Sequence, residues 1–163
     1  MALQHLTELG HQRIAVLHGL RANNDRTRAR LRALENHATD VELDYFEAGI
    51  SIGEGSALVP RILQAGGHTA LLCFSDVLAT GAIFGLQRAG LRVPEDISVV
   101  GMEDLAGSAY LNPALTTIRL PVFEMGQAAA DALAGWVERG DRPAASLLPI
   151  SLVVRESTIP AKS

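Results

Sequence analysis

Short runs of aliphatic residues alternate with longer helical stretches along this sequence, and this alternation constrains the fold more than any other feature. The runs at 13–19, 69–74 and 97–101 are dominated by apolar residues, without a regular change between apolar and polar positions. Both faces of such strands are buried, which is typical of a parallel sheet covered by helices. We therefore predict an α/β fold with a doubly wound, mainly parallel sheet flanked by helices.

Helix signals fill the gaps between these strands. Ser51 and Glu54 fit a capping box, and Asp76 is expected to cap the helix that follows the second apolar run. Pro60 lies inside a helical stretch, so we expect a kink or a late start there. Weaker strands are predicted over 43–48, 115–121 and 147–156. Helices are predicted over 2–9, from 23–25 to about 38, over 51–66, over 76–90, and over 122–139 with its end at 140–143.

Composition argues against several kinds of function. The chain has 163 residues and a net charge of −4, which does not suit a domain that holds DNA by itself. Four arginines lie close together at 26–32, flanked by Asp25 and Glu35, and we interpret them as a solvated helix face. The single cysteine, Cys73, excludes an internal disulfide and a multi-cysteine zinc site. No apolar run approaches the ~18 residues of a membrane span, so we expect a cytoplasmic protein without a metal, cofactor or membrane partner.

Five stretches, in order along the chain, resemble regulators of the LacI/GalR type. Each alone is a weak signal, but together they span the whole chain. The resemblance implies the second lobe of a two-lobed sensor that is similar to periplasmic binding proteins. In the family a helix-turn-helix head precedes this sensor. The five stretches are 9–15, 75–81, 93–101, 112–118 and 154–158.

The resemblance also implies a division of the chain. Residues 1–163 would form an effector-binding and dimerisation region, with 1–117 and 148–160 in the second lobe. The segment 118–147 would return to the first lobe, whose sheet we expect to be missing. DNA would then bind only through the missing N-terminal head, in a homodimer. We expect weak or no effector binding by this chain alone, because half of the cleft would be absent.

The implied ligand is a small-molecule effector, a carbohydrate or a nucleoside, bound at the carboxyl ends of the strands. Arg26 fits the arginine that the family places at the start of the helix after the first strand, with Arg28 or Arg30 as substitutes. A guanidinium suits vicinal hydroxyl groups because its donors form a fixed fork. Glu103 is the second expected contact, in a turn where the family has Gly-x-Asp-Asp.

Three further positions are expected near the ligand. Ser75 stands where the family often has asparagine, and Asp76 behind it is favoured as a helix cap over a ligand contact. Ile50 occupies the position where relatives carry an aromatic platform. These departures leave the identity of the effector open.

The resemblance places a dimer contact on the fourth helix and on the loop before 113. Leu78, Thr80 and Leu111 are the candidates. Their apolar groups could equally belong to the core.

Other functions compete with a regulator. The residues Gly-Ile-Ser-Ile-Gly at 49–53 match a nucleophile elbow. After Ser51, however, the sequence offers only His68 as base and only Glu54 as the acid between them, so we predict no catalytic residue and no enzyme. A periplasmic-type sugar-binding protein of a transport system is the main alternative, and a stand-alone interaction module is the third. Upstream sequence would discriminate them, through a helix-turn-helix or a signal peptide.

Overall fold

The computed structural model describes residues 1–140 and 142–162; Asp141, in the predicted end of the last helix, lies outside the described residues. Its centre is a single six-stranded sheet. The strands are β1 (Arg13–His18), β2 (Glu42–Glu47), β3 (Ala70–Cys73), β4 (Ser98–Glu103), β5 (Thr116–Arg119) and β6 (Ser151–Val153). Their order across the sheet is β2-β1-β3-β4-β5-β6. The first five strands run parallel, and β6 pairs with β5 in the antiparallel direction.

Helices cover both faces of this sheet. Two of them, α3 and α4, pack on one face, while α1 and α2 pack on the other. The prediction of a doubly wound, mainly parallel α/β sheet is confirmed. The helices are α1 (Ala2–Glu8), α2 (Asp25–His37), α3 (Ile52–Ala65), α4 (Asp76–Arg88) and α5 (Val122–Arg139), and a 3₁₀ turn spans Ser108–Tyr110.

The apolar runs form a core on each side of the sheet. In β3, Leu71 packs in one cluster with Ile83 of α4, whereas the next residue, Leu72, packs in the other cluster with Leu31 of α2. Successive side chains of a strand point to opposite faces. Both faces of the inner strands are therefore buried, as the sequence indicated.

Glycine allows α3 and α4 to cross in close contact. A Cβ atom built on Gly55 would collide with the carbonyl oxygen of Leu78, and one on Gly81 would collide with that of Ile52. The N-terminal ends of both helices consequently sit together at one edge of the sheet, beside the loops that follow β2 and β3.

Three predicted element boundaries need correction. The third helix begins at Ile52 with Pro60 inside it, so the late start is wrong. The cap of α4 is Ser75 and not Asp76, because the Ser75 hydroxyl accepts a hydrogen bond from the Val77 amide at 3.1 Å. The tail predicted over 147–156 pairs only at Ser151–Val153, since antiparallel pairing with the short β5 covers three positions.

Candidate functional site

The carboxyl ends of the parallel strands meet at one edge of the sheet, which we call the carboxyl edge. The loops after β1, β2 and β3 lead from this edge and carry Gly19, Ile50 and Ser75 respectively, and Glu103 is the last residue of β4. Open parallel sheets bind ligands outside these strand ends. Three predicted site residues, Ile50, Ser75 and Glu103, therefore lie at or just after the ends of strands at one edge.

Ser75 and Glu103 are in direct contact. The Ser75 hydroxyl donates a hydrogen bond to Oε2 of Glu103 at 2.9 Å. Glu103 has a backbone φ of 126°, a region that costs a non-glycine residue about 1–3 kcal/mol and that clusters at ligand sites. The serine thus fixes the orientation of a carboxylate whose other oxygen, Oε1, has no hydrogen-bond donor in the part of the chain that the structure describes.

The next residue, Asp104, holds this turn in place. Its carboxylate accepts hydrogen bonds from Nε of Arg119 and from Nη2 of Arg155, both at 2.6 Å. Arg155 also donates to the carbonyl oxygen of Leu115 at 2.7 Å. Burial alone would raise the pKa of Asp104, but the hydrogen bonds from Arg155 and Arg119 outweigh it and lower that pKa. We call Asp104, Arg119 and Arg155 the aspartate clamp.

Asp76 is a structural residue of this edge. Its buried carboxylate accepts hydrogen bonds from the Thr117 hydroxyl at 2.5 Å, the Ser108 hydroxyl at 2.6 Å and the Leu105 amide at 2.9 Å. These bonds tie α4 to β5 and to the loop after β4. Both oxygens are already satisfied, so the carboxylate has little left for a ligand.

The arginines of α2 differ in their surroundings. Arg26 is exposed near the start of the helix, which Asn24 caps by accepting from the Thr27 amide at 3.1 Å. Arg28 is held by an ion pair with Asp25 and donates to the carbonyl oxygen of Arg21 at 2.7 Å. Arg28 is therefore engaged, whereas Arg26 is open to a ligand.

Arg30 is the third arginine of this helix. It is half-buried, and its guanidinium carbon lies 5.9 Å from the centre of the Phe74 ring.

Ile50 lies next to Gly19, a residue of the loop after β1. It is 57% exposed, and a Cβ atom on Gly19 would lie only 3.0 Å from its Cδ1 atom. A larger residue at position 19 would require the exposed Ile50 side chain to move by a few tenths of an ångström. Ile50 offers an apolar surface but no aromatic ring.

His18 is a residue at this edge that the sequence interpretation did not select. It ends β1, is fully buried, and places Nδ1 at 2.8 Å from the carbonyl oxygen of Gly19. Its Nε2 has no hydrogen-bond partner among the described residues. The one signal in the sequence is a histidine at the end of an otherwise apolar strand.

The nucleophile-elbow match is a helix cap. The Ser51 hydroxyl accepts a hydrogen bond from the Glu54 amide at 3.1 Å, and His68 contacts Asp44 on β2 at 2.8 Å. No group of three metal-ligating side chains occurs in residues 1–140 and 142–162. No helix within those ranges is long and apolar enough to cross a membrane.

The predicted dimer residues lie at different depths. Leu78 is fully buried in the core of α3 and α4, so its side chain cannot contact a partner. Thr80 is half-buried and donates to the carbonyl oxygen of Asp76 at 2.7 Å, and Leu111 is half-buried against the core. Their neighbours Phe84 and Tyr110 are 40% and 89% exposed.

Sequence comparisons with known proteins show the family to which the chain belongs. The profile of the periplasmic binding protein-like domain family matches residues 3–158. The HTH-type transcriptional repressor PurR of Aliivibrio fischeri is 38% identical over 141 residues, covering 82% of this chain and 42% of PurR. The chain thus spans less than half the length of this relative.

Solved structures of LacI family regulators have a similar fold. A LacI family transcriptional regulator from Enterococcus faecium with bound ribose matches with a TM-score of 0.88 and 31% identity, over 99% of this chain and 62% of that chain. A dimeric Lac repressor matches with a TM-score of 0.87 and 34% identity, over 99% of this chain and 60% of that chain. The chain therefore belongs to the periplasmic binding protein-like domain family and, within it, to the domain type that LacI/GalR regulators carry.

Proposed function

We propose that this chain is the effector-sensing and dimerisation portion of a DNA-binding transcription regulator. Its effector is a small metabolite, a sugar or a related compound such as a nucleoside, bound at the carboxyl edge. The observation that carries the proposal is the Glu103 carboxylate, fixed by Ser75 on one side and by the turn of Asp104 on the other. A carboxylate held in this way is ready to accept hydrogen bonds from ligand hydroxyl groups without further ordering.

The aspartate clamp offers a route from the ligand to the rest of the regulator. Arg119 ends β5, where the chain leaves the sheet towards α5, and Arg155 follows β6, where the chain has returned. Asp104 therefore joins the ligand-binding turn to both of these connections. A ligand shifts the balance between two arrangements of the lobes by its difference in affinity for them.

The surface of α5 supports the division into lobes. Gly135 is the one buried residue of this helix. Phe123 and Val137 are 79% and 78% exposed. A helix with an uncovered apolar face is typical of a contact with another element. We propose that residues 118–147 contact a first lobe in a longer protein, while 1–117 and 148–160 form the second lobe.

We propose a homodimer that uses the exposed face of α4 and the loop before Pro113. Phe84 and Tyr110 provide its apolar surface, with Thr80 and Leu111 beside them. Exposed aromatic side chains are frequent anchors of protein interfaces. The similarity to PurR and to a LacI family regulator favours a transcription regulator over a periplasmic-type sugar-binding protein. DNA would be bound by a helix-turn-helix head, and the compartment would be the cytoplasm.

A nuclear magnetic resonance titration of the ¹⁵N-labelled chain tests the ligand site. D-ribose, D-glucose and adenosine are added separately to millimolar concentrations, since one lobe alone should bind weakly. At least one of them should shift the amide signals of residues 19–21, 50–51, 75–77 and 103–105.

Glu103→Gln and Glu95→Gln form the matched pair of variants. Glu95 is exposed in the turn before β4, and its replacement should leave the shifts unchanged. Glu103→Gln should weaken binding by about tenfold, because hydrogen bonds to a charged group contribute roughly 1.5–3 kcal/mol. Equal shifts in both variants, or shifts confined to residues away from the carboxyl edge, would contradict the proposed site.

A further inference from the structure

Asp76 carries a buried carboxylate that forms no ion pair with any described residue. The side chain is 1% exposed, and its two oxygens accept from neutral groups, the Thr117 and Ser108 hydroxyls and the Leu105 amide. Asp76 is also the first residue of α4, where the end of the helix favours a negative charge. Because removal of a carboxylate from water is costly, its three donors and the helix end must hold it in one position.

The sheet has a space that fits this carboxylate. A Cβ atom built on Gly101 of β4 would collide with Oδ1 of Asp76 and with a methyl group of Leu115. A side chain at position 101 would therefore displace the carboxylate from its hydroxyl donors. The absence of a side chain on the neighbouring strand thus helps to fix the position of Asp76.

Ser75 and Asp76 are consecutive residues that hold the segment after β4 at two points. The Ser75 hydroxyl donates to Glu103, the proposed contact of the effector. The Asp76 carboxylate accepts from the Ser108 hydroxyl further along the same segment. Both points of attachment are thus at the start of α4, so a displacement at one of them acts on the other.

The second point of attachment lies next to the proposed dimer surface. Ser108 begins the 3₁₀ turn that ends at Tyr110, and Tyr110 is 89% exposed. The carbonyl oxygen of Ser108 also accepts from the Leu115 amide at 2.8 Å. Ser108 is therefore held through its side chain and its backbone, and its bond to Asp76 lies between the effector edge and the dimer surface.

We propose that Asp76 is a positioning residue that couples the effector site to the dimer surface through residues 103–110, which we call the coupling segment. This inference rests on the proposed function and concerns the regulation of its site. An effector that orders Glu103 would also order Ser108, so that the turn of Tyr110 loses less freedom when a second copy binds. Effector binding and dimerisation then strengthen each other. Such a coupling is reciprocal, so dimerisation must act on Glu103 as strongly as the effector acts on the dimer.

The reciprocal direction provides a test that needs no effector. The amide signals of Ser75 and Glu103 are followed by nuclear magnetic resonance while the ¹⁵N-labelled chain is diluted from millimolar to micromolar concentration, and sedimentation measures the fraction of dimer. We expect both signals to shift in proportion to that fraction. The signal of Ile50, at the same edge but outside the coupling segment, should stay unchanged. Tyr110→Glu, which we expect to be monomeric, should show no shift on dilution.

Ser108→Ala and Thr117→Val form a matched pair of variants. Each removes one hydroxyl group from the same carboxylate, but only Ser108 belongs to the coupling segment. Ser108→Ala should still dimerise, while the signals of Ser75 and Glu103 no longer follow the fraction of dimer. Thr117→Val should retain the response. Asp76→Asn keeps the shape but cannot accept hydrogen bonds on both sides, so it should reduce the response as well.

Three results would overturn the inference, and two of them leave the proposed function intact. If the chain dimerises but Ser75 and Glu103 do not respond, or respond equally in Ser108→Ala, the coupling is wrong and the proposed sensor and dimer stand. An equal loss of the response in Ser108→Ala and Thr117→Val would show that Asp76 only stabilises the fold, and again only the coupling is wrong. If sedimentation detects monomers alone, the proposed dimer and the coupling both fail.

Discussion

Asp104 is the residue on which the geometry of the binding turn depends. Asp104→Asn keeps the size of the side chain but leaves Arg119 and Arg155 without their shared charge. We expect a loss of about 1–3 kcal/mol in the free energy of unfolding, because partly buried cations lose charge-assisted bonds. Urea denaturation of the variant at pH 7 measures it.

The matched control for this change is Asp96→Asn. Asp96 also pairs with an arginine, Arg92, but this pair lies at the surface, where solvent screens it. A comparable loss of stability in both variants would mean that the aspartate clamp has no special role.

The aspartate clamp should also lose its stabilising effect in acid. The pKa of Asp104 is lower in the folded chain than in the unfolded chain. The stability that the clamp contributes is therefore present above the ordinary pKa of an aspartate and is lost as the pH falls through the lowered pKa of the folded state.

His11 gives the fold a second pH dependence. It is buried and contacts the Thr69 hydroxyl at 2.8 Å and the carbonyl oxygen of Ile159 at 3.0 Å. Burial lowers its pKa below 6.5; the Ile159 carbonyl raises it in part, and His5 lowers it further. The unfolded chain therefore binds the proton more readily, and stability is full above pH 6.5 and falls below it.

His11→Gln should flatten the decline in unfolding free energy between about pH 6.5 and pH 5. Chemical denaturation at several pH values measures this slope. His37→Gln, at the exposed end of α2, is the control and should keep the slope of the unmodified protein. An unchanged slope in His11→Gln would refute the assignment.

The sequence predicted some of these residues and missed others for a physical reason. Ser75 and Glu103 each follow an apolar strand, so their place at the carboxyl edge could be deduced. Asp76 was interpreted as a cap because capping is a local property, but its real partners come from distant segments. The aspartate clamp was missed for the same reason, since Arg155 follows Asp104 by 51 positions.

At the scale of elements, the crossing of α3 and α4 depends on glycine. Gly55→Ala should destabilise the fold by about 1–3 kcal/mol, because its Cβ would meet the backbone of α4. Gly53→Ala, in the same helix, has no neighbour closer than 3.9 Å. It should be neutral or stabilise by up to about 1 kcal/mol. Thermal unfolding compares the two, and equal effects would show that the contact between the helices is loose.

Element positions were predictable where apolar runs were long and ended at caps or glycines. The bounds of the final strand were not predictable, because the alternation of apolar and polar residues over 147–156 continues beyond the three positions that pair with β5. The order of the strands also depends on tertiary packing, which periodicity does not contain.

At the scale of the whole molecule, Tyr110 tests the proposed dimer. Tyr110→Glu places a charge on a side chain that is 89% exposed, and it should convert a dimer into a monomer in sedimentation experiments at micromolar concentration. Phe123→Glu, on the exposed face of α5, is the control and should remain dimeric. Dissociation by Phe123→Glu alone would place the contact on α5 instead.

The central claim is that the carboxyl edge binds a small metabolite. Hydrogen–deuterium exchange of the chain, with and without a millimolar pool of neutral sugars, acidic sugars, sugar phosphates and nucleosides, measures it most directly. We expect slower exchange at residues 19–21, 50–51, 75–77 and 103–105, and no change at the opposite edge, at residues 66–69 and 96–98. Protection confined to that opposite edge, or equal protection at both edges, would contradict the account.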